Sequence, residues 1–272
     1  MSEKQTPTYL ANLNAHPRDK NIQFDEGPHI YTVNGEQGYT SVTTIIHGLF
    51  PKFDTEKIVN ASVNSKKMKD PNYKYYGMTK EQILELWEKN RDTSSGAGTQ
   101  THYNIECYYN KMDVEDESLE FQYFKKFLAD YPELEAYRTE WTVYYEEIRL
   151  SGSIDMVFRD TKTGEFLIYD WKRVKEIEYE SRYGKYALPE FISDLPDSNF
   201  WHYSLQLNTY RKILQDKYDM KIRGLFLIVL HPDNFNKTYE RIELPILDDT
   251  IEKLWEYRKK QLEDNQTQQE SH

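Results

Sequence analysis

Two carboxylates and one amine are the side chains of this sequence best suited to catalysis: Asp155, Asp170 and Lys172. Residues two positions apart on a strand share a face, so Asp170 and Lys172 are predicted to project to the same side. The intervening Trp171 then turns to the other face and into the core. A turn at Thr163-Gly164 brings Asp155 beside the pair.

This set of side chains predicts a divalent metal site. Two facing carboxylates repel each other unless a cation lies between them, and hard oxygen ligands favour Mg²⁺ or Mn²⁺. A bound ion of this kind acidifies a coordinated water and neutralises charge on a phosphate, while Lys172 orients the water or stabilises the transition state. We therefore predict metal-assisted phosphodiester hydrolysis. The alternative is that Asp155 and Asp170 are strand-end carboxylates paired with surface bases, and that Lys172 is an ordinary solvated lysine.

Two predicted helices carry further candidates. His102 and Glu106 lie one turn apart on the same face of the helix that precedes the strands. From there Glu106 can reach a metal or its bound water, so we predict that it is catalytic; an ordinary glutamate on a helix surface is the alternative. Gln206 and Tyr210 lie four residues apart on a later helix, where simple helix packing is the alternative to a functional role.

The elements that must position these residues alternate between strand and helix patterns. Apolar periodicity predicts an antiparallel meander of three strands and two later strands, over residues 139–146, 150–158, 165–171, 222–230 and 238–244. Helical spacing predicts helices over 79–90, 99–109, 118–130 and 200–218, and from residue 248 onward. The Ser- and Gly-rich residues 92–98 are predicted to form a loop between the first two helices.

The N-terminal part of the chain has shorter patterns. Asn34-Gly35 indicates the turn of a small hairpin, and Ser41 is the predicted N-cap of a short helix. The Lys-rich residues 54–72 fit no regular pattern. Aromatic residues between Tyr73 and Trp87 are candidates to stack on unpaired bases while neighbouring lysines hold phosphates, with a solvated loop as the alternative.

The order of these residues resembles the PD-(D/E)XK nuclease superfamily, in its RecB-like and lambda-exonuclease-like branch. Asp155 with Asp170-Trp-Lys172 matches the split D…(D/E)XK signature. Gly98-Thr-Gln-Thr-His102 is similar to the GxxxH element, and Gln206-Leu-Asn-Thr-Tyr210 is similar to the QxxxY motif. The D-x-K triplet alone is common, but the ordered set is much more specific.

The resemblance implies a role for each matched residue. It implies ligands to one or two metal ions at His102, Asp155, Asp170 and the backbone carbonyl of Trp171. It implies DNA contact or support of the site for Gln206 and Tyr210. An acidic residue on the preceding strand is expected as well, at Glu140 or Glu146. Arg173, beside the catalytic lysine, is predicted to contact nucleic acid.

Bulk properties restrict the class of protein. The balance of 35 Lys and Arg against 46 Asp and Glu gives a net charge of −11, which counts against a protein that simply coats DNA. A lone cysteine, Cys107, and a polar start over residues 1–20 predict an intracellular, reducing compartment. The longest apolar stretch, Gly224 to Leu230, is too short to span a bilayer, so no membrane association is expected.

These observations predict an α/β fold with a restriction-endonuclease-like core, in which helices flank a central mixed sheet. Residues 1–92 are expected to form a hairpin and helical region along the DNA path, 93–263 the nuclease core, and 264–272 a disordered tail. The predicted activity is a Mg²⁺- or Mn²⁺-dependent exonuclease on single-stranded or free DNA ends, in replication, repair or recombination, with a helicase or recombination protein as a possible partner. The alternatives are an endonuclease on RNA or branched DNA and a non-catalytic nucleic-acid-binding subunit.

Overall fold

A mixed β-sheet carries most of the residues singled out above. The structure, a computed structural model, describes residues 6–270, and in that part of the chain the main sheet has six strands. The strands in chain order are β1 (Ile22–Asp25), β2 (Ile30–Val33), β3 (Thr40–Ser41), β4 (Leu134–Tyr145), β5 (Leu150–Asp160), β6 (Phe166–Lys172), β7 (Ile222–Val229) and β8 (Glu240–Glu243). The α-helices are α1 (Tyr9–Leu13), α2 (Val42–Gly48), α3 (Thr55–Val63), α4 (Lys80–Tyr109), α5 (Leu119–Asp130), α6 (Asn199–Lys217) and α7 (Asp248–Glu270).

The main sheet is mixed because two of its strand pairings are parallel, β6 with β7 and β3 with β5. β4, β5 and β6 form the predicted antiparallel meander, β6 then runs parallel to β7, and β8 is antiparallel to β7. β5 pairs with β6 only from Met156 to Arg159, whereas the short β3 pairs in parallel with the start of β5, at Leu150 and Ser151. Between Ser151 and Met156, the segment that contains Asp155, this edge of β5 is therefore paired with neither β3 nor β6.

Helices cover both faces of the sheet, as the alternating strand patterns require. On one face Ile154, Ile168 and Leu227 pack with side chains of α2, α6 and α7. On the other, Tyr169 and Trp171 join a second core that includes α5 and the end of α4. The expected α/β fold with a mixed sheet between helices is confirmed. Because side chains alternate along β6, Asp170 and Lys172 project to the α2 and α6 side.

The two glycines that indicated a loop lie inside a helix. α4 runs without interruption from Lys80 to Tyr109, so the predicted loop over residues 92–98 is wrong. Gly96 and Gly98 weaken a helix through backbone entropy, but they keep their N–H donors, and no proline breaks the hydrogen-bond ladder. The hairpin prediction was partly wrong as well. A turn at Asn34-Gly35 does close a single antiparallel bridge between Val33 and Glu36, but the strand partner of β2 is the earlier β1.

Residues 52–101 form a compact unit of their own, while residues up to 51 belong with residues from 102 onward. This small unit contains α3, a 3₁₀ turn at Lys66–Lys69 and the first part of α4. Val59, Tyr75 and Ile83 are its buried core, and Trp87 Nε1 donates a hydrogen bond of 2.6 Å to Tyr75 Oη. Stacking of Tyr75 on a base is therefore excluded by burial, whereas Tyr76 is exposed.

The predicted domain boundaries differ from these units. The hairpin and α2 pack with the sheet, because their apolar side chains complete the cores around β4 and β5. The predicted disordered tail is helical up to Glu270, and residues 271 and 272 lie outside the described residues. Between residues 6 and 270, none of the helices is both long and apolar enough to cross a membrane.

Candidate metal centre

Strand register places three carboxylates in one row across the sheet. In the ladder between β4 and β5, Thr139 pairs with Met156 and Trp141 pairs with Ile154, so Glu140 lies opposite Asp155. Cross-strand neighbours have Cβ atoms about 4.5–5.5 Å apart, and like charges in that position destabilise a sheet. Of the two glutamates expected on the preceding strand, Glu140 is therefore the one beside Asp155. Glu146 instead forms an ion pair of 2.9 Å with Arg18.

Asp170 continues the row on β6. The ladder between β5 and β6 ends at the pair Met156 and Tyr169, and one position further Asp155 and Asp170 come opposite each other. At this position the Trp171 N–H on β6 donates a hydrogen bond of 3.1 Å to the Asp155 side chain, at Oδ2, in place of a backbone carbonyl of β5. Strand N–H and C=O groups of one residue point to the same edge, so the Trp171 carbonyl lies on the Asp155 side, as the predicted backbone ligand requires.

His102 reaches this row from α4. Its Nδ1 lies 3.4 Å from Asp155 Oδ2 and 4.0 Å from Glu140 Oε1. One ligand atom from each of the three residues lies within 4.8 Å of the other two, which is a spacing that a single metal ion can bridge. The predicted grouping of His102 with Asp155 therefore occurs in the structure, and Glu140 joins it.

Glu140 is held in place at an energetic cost. Its φ of 42° lies in the left-handed region, which is uncommon for a non-glycine residue and rarer still within a strand. Its Oε2 accepts a hydrogen bond of 2.9 Å from Ser153 Oγ. Burial, followed by the charge of Asp155, raises the pKa of Glu140 to about 8. Such strain at a cluster of carboxylates is typical of binding sites rather than of structural strands.

Asp170 and Lys172 form a buried ion pair beside the cluster. Lys172 Nζ lies 2.5 Å from Asp170 Oδ2, and Asp170 is only 2% exposed. Burial and then the charge of Asp155 raise the pKa of Asp170 to about 7, although Lys172 opposes this rise. Burial alone would lower the pKa of Lys172, but the charges of Asp170 and Asp155 raise it above its ordinary value. Lys172 is therefore a cation at neutral pH.

Glu106 adds a further carboxylate to the same region. Burial, and secondarily the charge of Glu26, raises the pKa of Glu106 to about 7. The charge of Glu106 also contributes to the raised pKa of Glu140, which shows that the two carboxylates are close enough to interact. A carboxyl group whose pKa lies near neutrality can accept and release a proton at working pH.

The residues fit a hard divalent cation. Glu140, Asp155 and Asp170 lie in one row, with Glu106 in the same region. Burial raises the pKa values of Glu106, Glu140 and Asp170, and the charge of Asp155 adds to the rise at Glu140 and Asp170. A divalent cation would remove this penalty, and oxygen ligands with a single imidazole suit Mg²⁺ and Mn²⁺ better than softer metals. His102, Glu140 and Asp155 are the side chains placed to hold it.

The three residues predicted to contact nucleic acid have different surroundings. Tyr210 is buried and packs its ring over Gly152 on β5. Gln206 is partly exposed and lies one helical turn before Tyr210. Arg173 Nε is 2.7 Å from Glu120 Oε1, so this guanidinium is already paired within the protein.

Two tyrosines near the site were not among the predicted residues. Tyr31 on β2 is buried, and the Glu140 charge contributes to its raised pKa, which is about 12 and due mainly to burial. Tyr203 on α6 has its ring centroid 4.8 Å from Lys172 Nζ. Tyr203 precedes Tyr210 by two helical turns, and this spacing is the signal in the sequence that places both on the face of α6 toward the sheet.

Comparison with known protein families gives no match, and comparison with curated proteins gives none either. The functional assignment therefore depends on the geometry of the site.

Proposed function

We propose that this protein is a metal-dependent nuclease with a restriction-endonuclease-like core. The observation that carries the proposal is the row of Glu140, Asp155 and Asp170 across three adjacent strands, with His102 and Lys172 at its two ends. Structural carboxylates are normally paired with cations or exposed to water. Here Glu140 and Asp155 face each other, and within the described residues neither has a lysine or arginine partner, while Asp170 beside them is paired with Lys172. A bound cation would make this arrangement favourable.

Each residue has a distinct role in the proposed reaction. His102, Glu140 and Asp155 would hold the metal, with Asp170 and the Trp171 carbonyl as the further ligands that the family resemblance implies. A divalent ion bound there supplies a more acidic coordinated water and neutralises charge on the scissile phosphate. Lys172 is held as a cation by Asp170, so it acts as a donor that orients the water or stabilises negative charge, and not as a base.

Glu106 is the proposed proton acceptor. Its pKa of about 7 places it where a carboxylate can take a proton from the attacking water and later release it. Glu140 also has a raised pKa, but it lies directly opposite Asp155 and is better placed to bind the cation. The protonated Glu106 side chain then returns its proton to solvent or to the leaving oxygen.

The distribution of charge supports a polyanionic substrate. Residues 52–101 contain nine Lys and Arg against seven Asp and Glu, a net charge of +2, whereas the rest of the chain has 26 against 39, a net charge of −13. Lys66, Lys67 and Lys69 of the small unit are exposed and form no ion pair within the described residues. A cationic segment that leads directly into the helix of His102 suits binding of a phosphate backbone.

We propose DNA with free ends as the substrate, cleaved exonucleolytically, because the GxxxH and QxxxY elements resemble those of exonuclease branches. The test is cleavage of end-labelled linear single-stranded and double-stranded DNA, beside closed circular DNA and RNA, with Mg²⁺, Mn²⁺ or EDTA. We expect metal-dependent loss of linear DNA only, and no loss with an Asp170→Ala variant. Cleavage of circles or RNA would indicate an endonuclease, and binding without any metal-dependent cleavage would indicate a nucleic-acid-binding subunit.

A further inference from the structure

A small cleft lies between α2 and α6, next to the proposed catalytic lysine. It has a volume of about 220 Å³, and its lining includes Thr43, His47, His202, Tyr203 and Gln206. All of these residues belong to the larger unit, in which α2 and α6 pack against each other. The catalytic cluster does not use the two imidazoles, and the sequence motifs do not include them.

Three flat rings, those of His47, His202 and Tyr203, line this cleft, and the buried Phe50 lies behind His202. The His202 ring stacks on Phe50 with centroids 4.0 Å apart and an angle of 28° between the planes, and His47 lies 5.7 Å from His202. His202 Nε2 is 2.9 Å from Asp197 Oδ1, which fixes the orientation of the imidazole. An ordered stack of flat rings at the edge of a cleft provides a surface on which another flat ring can stack.

The cleft is connected to the reaction centre through one side chain. Tyr203 lines the cleft, and the centroid of its ring is 4.8 Å from Lys172 Nζ. Lys172 in turn contacts Asp170, 2.5 Å away. A phosphate bound near Lys172 would therefore have an adjoining nucleoside within reach of the cleft. Gln206 lines the same cleft as Tyr203, so helix α6, which carries the QxxxY residues, provides one of its walls.

The chemistry of the lining favours a flat, uncharged ligand over an anion. Asp197 adds negative charge beside His202, and burial lowers the pKa of His202 even though Asp197 opposes that change. The imidazole is therefore neutral at neutral pH and attracts an anion weakly. The Thr43 hydroxyl and the His47 ring nitrogens form no hydrogen bond in the part of the chain that the structure describes, so they remain available to the polar edge of a ligand.

We infer that this cleft binds the nucleobase of the nucleotide next to the scissile phosphate. The inference rests on the proposed nuclease function and adds a substrate contact to it. In this arrangement the base stacks against the rings of His202 and Tyr203, while Thr43, His47 and Gln206 meet its polar edge. Every base has an aromatic face, so the contact positions the phosphate beside Lys172 without a strong requirement for one sequence.

The test is the rate of cleavage of linear oligonucleotides in which one abasic nucleotide is moved stepwise along the strand through the cleavage site. With the wild-type protein we expect kcat/KM to fall about tenfold at one position adjoining the scissile phosphate and little elsewhere, because stacking on one base contributes on the order of that factor. In a Thr43→Trp variant, which fills the cleft from an exposed position, we expect intact DNA to be cleaved about tenfold more slowly and the abasic position to have no further effect.

The matched control is Thr44→Trp, one position along the same helix and outside the cleft lining. It should retain the wild-type rate and the wild-type sensitivity to the abasic nucleotide. A second measurement, independent of cleavage, is fluorescence of 2-aminopurine at the same position with EDTA present, which should be quenched by the wild-type protein and not by Thr43→Trp. Cleavage that no abasic position affects would overturn the cleft assignment and leave the nuclease assignment standing. Absence of cleavage of any nucleic acid by the wild-type protein would overturn both.

Discussion

Gly152 on β5 has no room for a side chain, and its replacement tests how α6 supports the catalytic strand. A Cβ atom at residue 152 would lie 2.7 Å from Tyr210 Oη, 2.8 Å from Cε1 and 3.2 Å from Cζ. Two of these distances are shorter than real Cβ contacts allow, and the Tyr210 ring is buried on a helix in the core. Gly152→Ala must therefore displace the buried Tyr210 ring, or move β5 or α6.

The size of the effect follows from this geometry. Overpacking a core by one methyl group costs about 1–3 kcal/mol, and two contacts under 3.0 Å against a buried ring place this case at the upper end, about 2–3 kcal/mol. For a chain of this size that loss lowers Tm by about 4–5 °C. Asp155 follows three residues later on the same strand, so cleavage should also slow, by about tenfold or more if its carboxylate moves by a fraction of an ångström.

Urea and thermal unfolding measure the stability loss, and cleavage of linear DNA measures the second effect. Gly48→Ala is the control, because nothing lies within 4 Å of a Cβ there. It should leave the free energy of unfolding unchanged or raise it by up to about 1 kcal/mol, since residue 48 is at the end of helix α2. Adding Tyr210→Phe to Gly152→Ala removes the hydroxyl but leaves the Cε1 contact of 2.8 Å, so it should restore only part of the loss. A Gly152→Ala protein as stable as Gly48→Ala would refute the proposed packing of Tyr210 on β5.

Three further predictions follow from the site and from α4. The pKa values of Glu140 and Asp170, raised to about 8 and about 7, mean that the folded protein binds more protons than the unfolded chain between about pH 4.5 and 8. In urea titrations without metal, the free energy of unfolding should therefore fall as pH rises through that range. Saturating Mn²⁺ should make this dependence on pH weaker. A metal-free free energy of unfolding that rises with pH would contradict the proposed burial of these groups. Mn²⁺ should raise Tm of the wild-type protein but not of Asp155→Asn, measured by scanning fluorimetry; an equal rise in both would place the ion elsewhere. Gly98→Ala should stabilise α4 by about 0.5–1 kcal/mol, seen as slower amide exchange, because there is open space for a Cβ at a helical position; a faster exchange would indicate that residue 98 is not helical.

Much of the site was predictable because it depends on local strand geometry. The alternation that places Asp170 and Lys172 on one face and Trp171 on the other is a property of any strand, and β6 confirms it. The turn at Thr163-Gly164 fixes the register between β5 and β6, which brings Asp155 opposite Asp170. These features need only period-two patterns and a turn signal.

Other parts of the site depend on packing between distant segments. The choice of Glu140 over Glu146 follows from the register of β4 against β5, which runs unbroken from the pair Tyr145 and Leu150 to the pair Arg138 and Val157. That register depends on the turn over residues 146–149, and no pattern in the sequence specifies which residues this turn leaves unpaired. The continuity of α4 through Gly96 and Gly98 depends similarly on the strong helical segments at either side. Tyr31 lies near Glu140 only because the hairpin packs against β4.

The central claim is that Glu140, Asp155 and His102 bind the divalent cation that supports cleavage. The most direct test is the initial rate of linear DNA cleavage at saturating Mn²⁺ for the wild-type protein, for Glu140→Gln, and for Glu135→Gln as a control on the exposed part of the same strand. We expect Glu140→Gln to lose about 100-fold or more of the rate, since it removes a charged ligand, and Glu135→Gln to retain it. A Glu140→Gln protein that cleaves at the wild-type rate would contradict the proposed metal centre.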